Sequence, residues 1–197
     1  PATLFSADGT VASIYRVSLS DQRVAAIASS ETTDGFRAVS LQSATDALFL
    51  DNALRLRRAT ETNNTLENVA FKAEGENPSV QDLEVYNSRL YSLQQNGIFR
   101  YLAAEGGFGS GTSWIADKSD ISDGVSMTID GNLYLLKRTG DIWKFTQGKR
   151  DAAFIPSTVK PNLNGATRIT TPSDASPLYV LDPKNQRIVV FEKTGKL

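Results

Sequence analysis

Three dipeptides set an oxygen-bearing side chain directly before a glycine: Asp34-Gly35, Asp123-Gly124 and Asn164-Gly165. Each precedes a strand-like run. Carboxylate and amide oxygens are hard donors, so three that meet on one axis, with water completing the shell, suit a divalent cation such as calcium. The same dipeptides are also ordinary turn chemistry at the start of an element, and that reading stands beside the first. Little else in the chain is reactive. Histidine and cysteine are both absent. The commonest general base, the commonest transition-metal ligand, thiolate sites and disulfides are thereby removed. Ser-His-Asp and Cys-His mechanisms are excluded, and no catalytic residue is assigned.

The elements that position these residues are periodic. An apolar-aromatic pair recurs as Leu4-Phe5, Leu48-Phe49, Leu90-Tyr91, Leu133-Tyr134 and Leu178-Tyr179, at steps of 42 to 45 residues. A second signal follows each pair: Ile14–Val17, Leu54–Leu56, Ile98–Tyr101, Ile142–Phe145 and Ile188–Phe191. A period near 43 with several strands per unit predicts an all-β chain, a β-propeller of four-stranded antiparallel blades. With strands a to d counted from the axis outward, the first copy gives b, c and d at 3–7, 13–19 and 23–29. The second gives 36–42, 47–51, 53–58 and 66–72. The third gives 82–86, 89–94, 97–103 and 112–117. The fourth gives 125–129, 132–137, 141–146 and 152–157. The fifth gives a, b and c at 167–171, 177–181 and 186–192. Asp123–Phe145 is the best-formed complete copy, its three runs split by Asp130-Gly131-Asn132 and Thr139-Gly140-Asp141. We expect one domain over 1–197, with about five repeats of a six-bladed ring and partial first and last blades. A ring of five with two thinned blades is the alternative. In a propeller the a strands line the axis, which would bring Asp34, Asp123 and Asn164 towards the channel mouth.

The fifth copy, Leu178-Tyr179-Val180-Leu181-Asp182 through Asn185-Gln186-Arg187-Ile188 to Phe191 and Gly195, resembles the second half of an NHL repeat. The fourth copy matches more loosely, and the others keep only the period. The resemblance implies a propeller with a funnel-like channel and no particular activity. Asn164-Gly165 with Tyr179–Asp182 is also similar to the gluconolactonase-like six-bladed lactonases. That similarity implies a divalent cation held by Asn164 and Asp182, although the acidic residue that opens the family's first blade has no counterpart here. Degenerate propellers of this kind further resemble the extracytoplasmic ends of bacterial membrane proteins, some tethered to metal-dependent serine/threonine phosphatases.

The remaining features narrow the partners. With 21 basic and 22 acidic residues the net charge is −1, which is no footprint for nucleic acid or anionic lipid. No apolar run is long enough to insert in a membrane. Asp117–Asp123 is read as a solvated acidic loop, because it lacks the glycine and terminal glutamate of a calcium hand. Glu105–Gly111 is read as a glycine-rich loop and not a phosphate cradle, since no Lys-Ser/Thr follows. Arg55 and Arg57 are expected on one face of a c strand. The leading expectation is a non-enzymatic module that binds a protein or small-molecule ligand, in an extracytoplasmic part of a larger bacterial protein. It needs no cofactor, or at most a divalent cation. A metal-dependent lactonase is the alternative, and a purely architectural scaffold a third.

Overall fold

The structure, a computed structural model, describes residues 3–8, 13–18, 21–27, 35–63 and 65–197. Asp34 lies outside the described residues. The fold is all-β, and its antiparallel sheets are arranged as a β-propeller. The first sheet holds β1 (Thr3–Asp8), β2 (Ser13–Ser18) and β3 (Val24–Ile27). The second holds β4 (Phe36–Leu41), β5 (Asp46–Asp51), β6 (Leu56–Thr60) and β7 (Glu67–Val69). The third holds β8 (Val80–Tyr86), β9 (Arg89–Gln94), β10 (Gly97–Ala104) and β11 (Gly107–Ser113). The fourth holds β12 (Gly124–Ile129), β13 (Asn132–Lys137), β14 (Ile142–Thr146) and β15 (Lys149–Arg150). The last holds β16 (Arg168–Thr170), β17 (Leu178–Asp182) and β18 (Arg187–Phe191), with a 3-10 turn over Pro183–Asn185. Every sheet is a meander in chain order. Three sheets carry four strands and two carry three, so the expected sixth blade is not among the described residues.

The chain packs as two compact units. Pro1–Gly75, Leu83–Leu90 and Tyr101–Gly111 form one, and Glu76–Asp82, Tyr91–Arg100 and Thr112–Leu197 form the other. In the first, Phe49 and Ala47 of β5 are fully buried with Ile14, Ile27, Ala59 and Leu66. Phe36 meets Phe49 edge-on at 5.7 Å. In the second, Tyr134, Leu136 and Ile142 of the fourth sheet pack on Ile169, Leu178, Val180 and Phe191 of the last. Trp114 meets Tyr91 at 6.2 Å and Phe145 at 6.5 Å, both edge-on. Leu48-Phe49, Leu90-Tyr91, Leu133-Tyr134 and Leu178 are thus buried core, while Tyr179 is only partly buried; each fully buried large side chain is worth roughly 1.5–3 kcal/mol.

The strands β4, β8, β12 and β16 each stand at one edge of a sheet. Amides on that edge need partners other than a neighbouring strand. Side chains of the preceding sheet supply them. In the first unit, Ser40 of β4 accepts the Val85 amide of β8 at 2.8 Å. In the second, Asp82 of β8 accepts the Met127 amide at 3.0 Å, Ser126 accepts the Ile169 amide at 3.2 Å and Thr128 accepts the Thr171 amide at 3.2 Å. All four acceptors are buried. Asp82 also accepts the Ser126 hydroxyl at 2.8 Å and pairs with Arg168 at 2.8 Å.

Several boundaries differ from expectation. Strand d of the third sheet lies at Gly107–Ser113 and not at 112–117. The glycine-rich segment read as a loop is therefore mostly strand. Its glycines are there for contact: a Cβ on Gly107 would sit 2.3 Å from the Ala70 carbonyl oxygen, and one on Gly111 would sit 2.6 Å from the Tyr101 ring. Ala70 bridges Gly107, donating to Gly106 O and accepting from Phe108 N, each at 2.8 Å. Strand d of the fourth sheet is only Lys149–Arg150 and not 152–157, because Gln147 and Gly148, at φ of 51° and 81°, turn the chain immediately after β14. Strand c of the second sheet begins at Leu56. Arg55 therefore sits in the turn, its Nε 2.7 Å from Asp51, while Arg57 is buried, so the two do not share a solvated face.

Candidate functional site

The short β15 leaves a gap. Where other sheets continue strand d, the chain after Arg150 departs, and a groove of about 440 Å³ opens beside β14. It lies wholly within the second unit. One wall is β14 with Trp143, reached by Arg150. The other is the segment 152–163, with Phe154, Ile155, Val159 and Leu163, and Phe191 also lines the groove.

Local chemistry fixes both walls. Trp143 carries two cations, Lys137 Nζ and the Arg150 guanidinium, each 3.7 Å from the ring centroid. Lys137 is also tied to the Asp123 carboxylate at 2.8 Å. Arg150 makes no salt bridge among the described residues; its backbone amide donates to Asp117 at 2.7 Å. That bond, helped by Ser119 and by the Arg150 charge, holds the Asp117 carboxyl below the usual carboxylate range against the opposing effect of burial. The facing wall is pinned at several points. Phe154 stacks edge-on against Tyr134 at 5.7 Å. Gly140, at φ 91°, lets the backbone of Leu163 approach to where a Cβ would be 2.5 Å away. Arg187 donates to the Lys160 carbonyl at 3.1 Å and to the Pro161 carbonyl. Between these anchors Ile155 stands 78% exposed.

The sequence-derived oxygen donors sit around this frame. Asp182 is fully buried at the end of β17. Its Oδ2 accepts Asn185 Nδ2 and Arg187 Nε, both at 2.8 Å. It therefore holds the arginine that pins the 160–161 backbone. Asp123 is paired with Lys137, and its carbonyl accepts the Arg138 amide at 2.9 Å. Asn164 is exposed beside Gly165, its amide 3.4 Å from Asn162 Oδ1. Among the described residues no group of three His, Cys, Asp or Glu side chains is placed to hold a metal ion. Arg150, Phe154 and Ile155 were not singled out from the sequence. The Gln147-Gly148 turn was the available signal, since it closes a two-residue hairpin and ends strand d early.

Near the same face, Lys193 bridges Asp130 and Thr171, 2.6 Å from the latter, and lies 5.1 Å from the Tyr134 ring. Burial, reinforced by the Asp130 charge, pushes the Tyr134 phenol up to about 12, so it stays a neutral packing group.

Burial alone would raise the Asp182 carboxyl. The hydrogen bonds from Asn185 and Arg187 outweigh it and hold the group below the usual range. A carboxyl depressed in the folded state adds stability that is complete above its unfolded value, about 4, and is lost as pH falls through the folded value. Melting temperature should therefore drop as pH falls below about 4, and Asp182→Asn should flatten that drop. An identical acid profile in the variant would show that the pair does not contribute.

No protein family matches the sequence, and no curated protein does. Solved structures do match. One of a nidogen/laminin complex superposes with a TM-score of 0.65 at 16% identity, covering 97% of this chain and 72% of that one. A protein of unknown function from Bacteroides caccae gives 0.62 at 10% identity, covering 97% and 68%. PorZ, a bacterial surface component of the type-IX secretion system of Porphyromonas gingivalis, gives 0.56 at 14% identity, covering 91% and 22%. At such identities the likeness is one of fold. Membership of the NHL or gluconolactonase-like families is not shown by any of them.

Proposed function

We propose that the chain is a non-enzymatic binding module that receives a protein or small-molecule ligand in the groove beside β14. The observation that carries this is the groove itself: a concave surface with an exposed isoleucine, an aromatic floor and the Arg150 guanidinium stacked on Trp143. Thr139, Asp141, Ser157 and Asn162 line it beside these groups, so it offers hydrogen-bonding partners as well as apolar contact. A place in the extracytoplasmic, ligand-sensing part of a larger bacterial protein accords with a neighbour described as a bacterial surface component. The lactonase reading gains no support: Asp182 Oδ2 is engaged by Arg187 and Asn185, and Asp182 is fully buried.

A fragment panel screened by NMR tests the proposal. Binders are expected to shift the Trp143 indole resonance and to lose that effect in Ile155→Asp. Hits that map elsewhere, or metal-dependent turnover of lactones by the purified chain, would contradict it.

A further inference from the structure

We infer that the open face of the last sheet takes the first sheet of a second copy of this chain, so that copies associate head to tail. Side chains alternate along a strand, so each sheet has two distinct faces. Sheets inside each unit join unlike faces. In the second unit, Tyr134, Leu136 and Ile142 on one face of the fourth sheet pack on Leu178, Val180 and Phe191 of the last. In the first unit, Ile14 and Ile27 on one face of the first sheet pack on Ala47, Phe49 and Ala59 of the second. The two contacts are equivalent in register, since Ile14 lies opposite Ala7 as Ile142 lies opposite Leu136.

Two such faces stay open, one of each kind. Leu181 lies opposite Ile188 and Tyr179 opposite Val190, the positions that Leu136, Ile142, Tyr134 and Lys144 hold one sheet earlier. This is the face by which a sheet receives its successor. Ile188 is 63% exposed, Leu181 and Val190 are exposed, and Tyr179 is half-buried. Arg168, opposite Leu181, has its charge paired with Asp82 at 2.8 Å. On the first sheet, Val17 lies opposite Val24 and Tyr15 opposite Ala26, on the side turned from Ile14 and Ile27. This is the face by which a sheet docks on its predecessor. Val24 is 63% exposed, and Tyr15 and Val17 are half-buried. The solvated face of an antiparallel sheet is ordinarily polar, and these two are apolar. The chain carries both halves of the contact, so a second copy is a complete partner. A face of three short strands is small against the roughly 1,200–2,000 Å² of stable complexes, so the association is reversible. Unlike faces meet, so the contact can repeat and build species beyond a dimer.

The test exploits the absence of cysteine, which lets single cysteines report the contact without background. Val24→Cys and Ile188→Cys replace exposed side chains, so both variants are expected to fold, which circular dichroism verifies. The two are mixed in equal amounts, one carrying a tag that separates the products by size, and treated with a short bismaleimide. Random pairing would put half of the crosslinked dimer in the mixed product; head-to-tail docking should put nearly all of it there. Random proportions, or a dominant self-linked Ile188→Cys product, would overturn the inference. Sedimentation velocity of the unaltered chain gives a second reading. The mean sedimentation coefficient should rise with concentration, and Ile188→Asp should weaken that association by about tenfold or more. Ile155→Asp, placed in the groove, should leave it unchanged. A coefficient constant up to millimolar chain, or equal losses in the two aspartate variants, would overturn head-to-tail docking while leaving ligand binding in the groove to its own test.

Discussion

Asp82→Ala is expected to unfold the second unit more readily than any surface replacement, by about 3–5 kcal/mol, the usual effect of breaking a buried charge pair from one side. Asp82 is 1% exposed and accepts three donors from two other strands. Its loss leaves the Met127 amide and Ser126 hydroxyl without this acceptor, and the Arg168 guanidinium without this counter-ion. Buried donors deprived of their acceptor lose the full desolvation free energy, not only the net value of a bond. Arg168→Ala should be milder, because that side chain is one-third exposed and water can replace it at Asp82. Both tryptophans, Trp114 and Trp143, lie in the second unit, so their fluorescence in urea reports its unfolding. A midpoint for Asp82→Ala equal to that of a replacement at the exposed Glu76 would refute the account.

Gly107→Ala is the counterpart in the first unit. The added methyl would enter the backbone of Ala70, with contacts of 2.3 Å to O and 2.5 Å to N. Neither atom belongs to a flexible side chain that can swing away. The strand must shift, and the two 2.8 Å hydrogen bonds flanking Ala70 shift with it. We expect about 3 kcal/mol of destabilisation, the upper end for an overpacked position. Gly109→Ala, two residues on, meets only the Ala104 Cβ at 3.8 Å and the Leu102 carbonyl at 3.9 Å and should be nearly neutral. Limited proteolysis of the pair reads the difference. Equal sensitivity in the two variants would mean that the close approach of Ala70 and Gly107 does not stabilise this unit.

The first three strands of each repeat were legible because they carry the apolar and β-branched runs, bounded by turn residues. Most of them, β9 (Arg89–Gln94), β13 (Asn132–Lys137) and β4 (Phe36–Leu41) among them, fall within a residue of expectation, whereas β6 (Leu56–Thr60) begins later than expected. The outer strands of the first two sheets lie inside their expected ranges; those of the third and fourth do not, and for opposite reasons. Gly107–Ser113 hides its strand behind glycines that are there to admit Ala70 and Tyr101. Ala152–Ser157 looks strand-like from Phe154 and Ile155, yet the Gln147-Gly148 hairpin ends the sheet at Arg150. The groove was illegible for the same cause, since it exists where a strand stops. The oxygen donors were correctly seen as recurrent. Spacing alone does not reveal that Asp123 faces a lysine and Asp182 an arginine, because those partners approach across a strand or around a turn.

The side-chain acceptors on β4, β8 and β12 have a consequence for hydrogen exchange. The amides of Val85, Met127, Ile169 and Thr171 are held by a side chain of a neighbouring sheet, not by a strand of their own. Fraying within a sheet does not release them; separation of adjacent sheets does. Their deuterium uptake therefore times the parting of blades, while the amides of β13 time the dissolution of a single blade. Faster exchange at Met127 than within β13 would identify the seam between sheets as the place where the molecule first opens.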